Sequence, residues 1–225
     1  MNREGFCIYA RFTVGFLTSV TVLIASPQAI GHRQEAGKRM FEQIETATRE
    51  IAEFEKTKEV NHLENAIKAT QSVDMSKLAA PQQSEARQRT ASEWFRILAV
   101  IDENMDPRFD ETNPPDESIT PPPAGAIEYP SSVDPKSIAD PAARAAYEKQ
   151  RKENGIKAEQ FRLQLKLRRL DPRATANTDR LVIQYYTYSV KDQAALDGLL
   201  QESKLSPTRQ LHIRGLFKHK DSRVE

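Results

Sequence analysis

Cysteine is all but missing from this chain: Cys7 is the only one in 225 residues. Disulfide staples, thiolate nucleophiles and Cys-ligated zinc are therefore excluded from nearly all of the protein. Glycine is scarce too, with 8 residues and no cluster, so no loop can cradle phosphate as Walker and dinucleotide loops do. His32, His62, His212 and His219 stand apart, without HExxH or His-Cys spacing, and offer no zinc ligand set. There is no GxSxG elbow. The acidic run DENMDPRFDE, Asp102 to Glu111, lacks the alternating carboxylates, central glycine and closing glutamate of a calcium loop, and reads as a solvated helix end. No catalytic residue, metal site or cofactor is assigned.

Long apolar runs are also absent, with one exception. Arg3 and Arg11 precede the stretch Phe12 to Ala25 (FTVGFLTSVTVLIA), which Ser26, Pro27, Gln28 and Ala29 close. A positive start, a short apolar centre and a small-residue exit are the parts of a secretory signal. The fully apolar part falls short of the ~20 residues that cross a hydrocarbon core, so a cleaved signal over 1–29 is favoured over an uncleaved membrane anchor. Cleavage removes Cys7 as well. A Cys-free exported chain fits a bacterial periplasm or envelope better than a small secreted animal domain, which usually needs disulfides.

The near-neutral total charge of +1 hides a split. Residues 30–140 hold 13 Lys+Arg against 21 Asp+Glu, whereas 141–225 hold 18 against 10. Such a division bears on association rather than on fold.

Apolar spacing predicts a mainly α protein. Met40, Ile44, Ala47, Ile51 and Phe54 recur at four and three, a stripe along a helix from Gln34 to Lys58. Further helices are expected over Val60–Val73 and Ser84–Asn104, the last carrying Trp94 and Phe95 as core aromatics. These form an acidic unit over 30–106. Pro114, Pro115, Pro121, Pro122, Pro123, Pro130 and Pro135 then mark a Pro-rich acidic linker over 107–140. A basic helical unit is expected over 141–217, opened by Asp140-Pro141, with a frayed tail over 218–225.

Two stretches of that unit are ambiguous. Phe161, Leu163, Leu165 and Leu167 alternate with Arg162, Gln164, Lys166 and Arg168, which is a strand period in residues that prefer helix. Leu181 to Tyr188 (LVIQYYTY) carries more β character. Helix is favoured for the first, buried on two sides, and a short hairpin 161–168/181–188 is the minority reading. Asn154-Gly155 is expected to break the helix that starts at Pro141.

Two surfaces stand out as functional candidates. The Met40, Ile44, Ala47, Ile51, Phe54 stripe suits helix–helix contact with a protein partner or a second copy, giving an exported scaffold protein as the leading reading. Arg162, Lys166, Arg168, Arg169 and Arg173 form the densest basic stretch, with Tyr185, Tyr186 and Tyr188 beyond it. They suit an anionic surface, either lipid headgroups or a wall polymer. Nucleic acid, which an exported protein rarely meets, ranks below both. An enzyme of unfamiliar design is the third reading.

Overall fold

The computed structural model describes residues 27–115 and 133–217. Among them are six α-helices and no strand: α1 (Pro27–Thr57), α2 (Val60–Gln71), α3 (Ala80–Asn104), α4 (Pro141–Tyr186), α5 (Val190–Glu202) and α6 (Pro207–Gly215). The chain is mainly α, as the apolar spacing predicts. The apolar run 12–25, much of the linker and the C-terminal tail lie outside the described residues. No described helix is long and apolar enough to cross a membrane.

Local capping fixes three of the helix starts, among them the one expected at Asp140-Pro141. Asp140 accepts from the amides of Ala142 and Ala143, and Pro141 fills the first turn, where its missing N–H has no helical partner anyway. Ser189 accepts from the Asp192 amide at the start of α5, and Ser206 from the Arg209 amide at the start of α6. α1 stops at Lys58, which has φ of 59° and donates its amide to the Phe54 carbonyl at 2.8 Å. Glycine is the usual occupant of that left-handed position.

One continuous core joins the two halves. Ile51 and Phe54 of α1 pack with Leu63 and Ile67 of α2, with Trp94, Phe95, Leu98 and Ile101 of α3, and with Leu167, Ala174 and Val182 of α4. Leu196 and Leu200 of α5 and Ile213 of α6 complete it. Met40 joins a neighbouring cluster with Met75, Leu78 and Ala86. The stripe on α1 therefore forms as expected, but it is used inside the chain: its five residues are at most 3% exposed. It offers no free face for self-association.

α4 corrects the sequence-based expectation most. It is one helix of 46 residues, about 69 Å long at 1.5 Å per residue. Asn154-Gly155 does not break it, and the 161–168/181–188 hairpin does not form. Gly155 costs a helix interior only about 1 kcal/mol, and Pro172 lies on the exposed side of the helix. Tertiary burial decides the rest. Leu167 and Leu170 are buried in the core with Leu163 packed against it, whereas Phe161, half-buried, meets Phe109, so the alternating run is a helix buried fully on one side only. Val182 and Tyr186 bury their β-favouring side chains as helix residues, beside Leu181.

Candidate functional site

Helical winding sorts the basic stretch of α4 into two groups. Lys166, Arg169, Arg173 and Arg180 follow one another at spacings of three, four and seven, so they share one face, and Arg162 precedes Lys166 by four. All five are exposed. The four from Lys166 to Arg180 span about 21 Å of helix axis. Toward the start of α4 the same register is mixed: it carries Arg151 with the acidic Glu148 and Glu159, and Arg144 is half-buried and donates to the Ile138 carbonyl.

The carboxylates of this stretch are drawn elsewhere. Asp171 and Asp179 are the only acidic residues between Arg162 and Arg180. Asp171 accepts from Arg209 of α6, and Asp179 from His212, whose Nε2 lies 2.9 Å away. By helical winding both aspartates lie off the face that holds Lys166, Arg169 and Arg173, and α6 packs against the side of α4 that carries them. Among the described residues Arg173 reaches the neutral Gln71, and Arg180 reaches Asn177. Among the described residues neither Lys166 nor Arg169 has a carboxylate partner.

Arg168 belongs to the other group. It donates to the Phe109 carbonyl at 2.7 Å, and its guanidinium lies 5.3 Å from the Phe109 ring centroid. Phe161 packs on the same ring at 5.0 Å. Gln164 accepts from the Asp106 amide and donates to the Asn104 carbonyl, both at 2.8 Å. Arg168 and Gln164 therefore fasten the turn after α3 to α4. Of the five basic candidates, four share the exposed face and Arg168 does not. Arg180, too far along the chain to register as part of the dense cluster, joins them; the heptad interval from Arg173 is the signal that finds it.

The tyrosines divide as well. Tyr186 is buried, and Tyr185 is half-buried beneath the Arg87 guanidinium at 5.2 Å. Only Tyr188 is open, at 52% exposure.

A cleft of about 850 Å³ lies between α3 and α5. Phe95, Ala99, Val100 and Leu199 line it with apolar surface, and Glu103, Glu202 and Lys204 add charge. Beside it, Arg209 ties three helices together: it donates to Asp102 of α3 at 2.8 Å, to Thr175 of α4 at 2.9 Å and to Asp171. Burial by itself lowers the Arg209 pKa, and the bonds to Asp102 and Asp171 outweigh it and hold the guanidinium above its ordinary value. This is a structural lock rather than a reactive centre, since each named donor is already committed.

His62, Asp106 and Asp110 are locally satisfied. His62 meets Glu50 at 2.8 Å. In the acidic run, Asp106 and Asp110 cap turns by accepting from the amides of Arg108 and Thr112. The Thr112 hydrogen bonds hold the Asp110 carboxyl below its ordinary value. Among the described residues no three His, Cys, Asp or Glu side chains are grouped to hold a metal ion. Comparison with protein families, with curated proteins and with solved structures finds no match for this chain.

Proposed function

We propose that the protein is an exported, non-enzymatic adaptor that holds an anionic surface against the basic face of α4. The supporting observation is the row Lys166, Arg169, Arg173 and Arg180, exposed on one helix face while Asp171 and Asp179 are engaged by α6. Cations in such a row match a repeating array of phosphates better than a single small anion, and their field adds along the helix. Export rests on the apolar run 12–25 and its flanks.

The test is binding of soluble polyphosphate chains followed across ionic strength. Affinity is expected to fall steeply with salt, because exposed charges are screened beyond a Debye length of about 8 Å near physiological ionic strength. The combined change Lys166→Glu, Arg169→Glu and Arg173→Glu alters exposed side chains only and should abolish binding with the helical circular dichroism unchanged. Binding that survives the triple change would sink the reading.

A second reading, a scaffold that takes a partner helix, has one observation in its favour: the α3–α5 cleft, whose wall mixes Ala99 and Leu199 with charged side chains such as Glu103 and Glu202. Leu199→Glu should release such a partner.

A further inference from the structure

The α4–α5 corner adds something that the basic row does not explain. Three of the large apolar side chains that the described surface exposes fall within eight residues there: Ile183 at 38%, Tyr188 at 52% and Val190 at 65%. Ile183 follows Arg180 by three positions, so it sits beside the basic face. Tyr188 and Val190 flank Ser189, whose hydroxyl is fixed by the Asp192 amide at 3.0 Å. Thr187, just before them, is fully buried and donates to the Ile183 carbonyl at 2.8 Å. The corner is therefore held in shape while its apolar side chains face outward.

The exposed charged side chains next to it along the chain are both basic. Arg180 and Lys191 are exposed, whereas Asp192 is half-buried against Ser189 and Asp179 is held by His212. Scattered apolar residues are normal on any surface. An exposed tyrosine and two aliphatics next to a row of cations is the composition that seats proteins at the boundary of headgroup and acyl chain.

We propose that the anionic surface is a lipid bilayer, against which Lys166, Arg169, Arg173 and Arg180 pair with headgroup phosphates while Ile183, Tyr188 and Val190 enter the acyl boundary. This rests on the adaptor reading and deepens it: a wall polymer would use the cations and leave the corner wet. Each cation beside an anionic leaflet strengthens binding about fivefold, so loss of three weakens it on the order of a hundredfold.

The decisive experiment places a reporter at the corner of the full chain. Val190→Trp adds an exposed indole, while the native Trp94 is only 2% exposed and gives a constant buried signal. Whatever the run 12–25 does in a bilayer, the introduced indole reports on its own position. With phosphatidylcholine vesicles containing phosphatidylglycerol, its emission should shift to the blue. With pure phosphatidylcholine, or with polyphosphate, it should not. The shift should require about a hundredfold more lipid after the triple charge reversal. Tyr188→Ser should raise the lipid requirement on the order of tenfold and leave polyphosphate binding as it was. If the emission stays red with anionic vesicles while charge-dependent polyphosphate binding persists, the bilayer proposal is overturned and the adaptor reading stands. If charge reversal leaves both ligands bound, the adaptor reading itself is lost.

Discussion

Arg209→Met should be among the most destabilising single changes outside the apolar core. The Arg209 side chain is 15% exposed, and its partners Asp102 and Asp171 are 21% and 25% exposed. Its hydrogen bonds reach two carboxylates and the Thr175 hydroxyl, across three helices. Bonds to charged groups contribute about 1.5–3 kcal/mol each, and the remaining solvent access of both aspartates argues for the lower half of that range. Asp102 has a further cost, because its Oδ2 is already buried without a partner and Arg209 is the only donor to its Oδ1 that the structure shows. A loss of about 3 kcal/mol follows, out of the roughly 5–15 kcal/mol that a domain of this size holds. Methionine keeps most of the volume, so packing contributes little to the difference. The assay is urea unfolding followed by circular dichroism, with the slope unchanged and the midpoint lowered. Arg209→Lys should recover part of the loss, since a single ammonium cannot reproduce the planar fork. A cycle combining Arg209→Met with Asp171→Asn should give a coupling above about 1 kcal/mol. A midpoint within error of wild type, or strict additivity in the cycle, would refute the reasoning and demote the lock to a surface contact.

Three further outcomes are expected. Burial lifts the Glu93 carboxyl above its ordinary 4.5, against a Thr48 hydrogen bond and Arg96, and its Oε2 is buried without a partner. A raised folded pKa favours the native state below pH 4.5, and that advantage is lost as pH rises through the folded value. Glu93→Gln should therefore exceed wild type in thermal stability at neutral pH and converge with it in acid. Burial pushes the Tyr186 phenol up to about 12, with Arg87 opposing and Asp192 assisting, and its hydroxyl also lacks a partner. Its share of stability is present below pH 10 and lost as pH climbs through about 12, so Tyr186→Phe should flatten the alkaline limb of a pH–stability profile and cost at most about 1 kcal/mol at pH 8. Lys58 sits at φ of 59°, bonded to Asn104 at 2.9 Å and lying over the Phe54 ring. Glycine and alanine both lose those contacts but only alanine keeps the left-handed strain, so Lys58→Gly should be about 1 kcal/mol more stable than Lys58→Ala in urea unfolding.

The first three helices were legible in the sequence because each carries an apolar face of helical period with its own start and stop. Met40 to Phe54 and Trp94 to Ile101 are buried as that period requires. What period alone cannot say is what covers a face, and the α1 stripe is met by this chain's own α2 and α3. α4 was harder to read because Gly155 and Pro172 are local stop signals, and they are overruled by burial from Leu167 to Tyr186 that depends on residues distant in sequence. The basic cluster was visible as density, yet density does not assign sides: Arg168 turns to Phe109. The pairing of Asp171 with Arg209, 38 residues on, and of Asp179 with His212, 33 residues on, leaves no local trace.

The long α4 is also uneven in what secures it. Between Tyr147 and Ala158 no residue of the helix is buried, whereas Leu167, Leu170, Ala174, Thr178, Leu181, Val182 and Tyr186 all are. Amide protons around Lys152 should then exchange with solvent at the rate of a lone helix, and those around Val182 only when the whole protein opens. One element thus holds two clocks. A protease that cuts near Gly155 should trim the early turns while the later ones, with Lys166 through Arg180, keep their spacing.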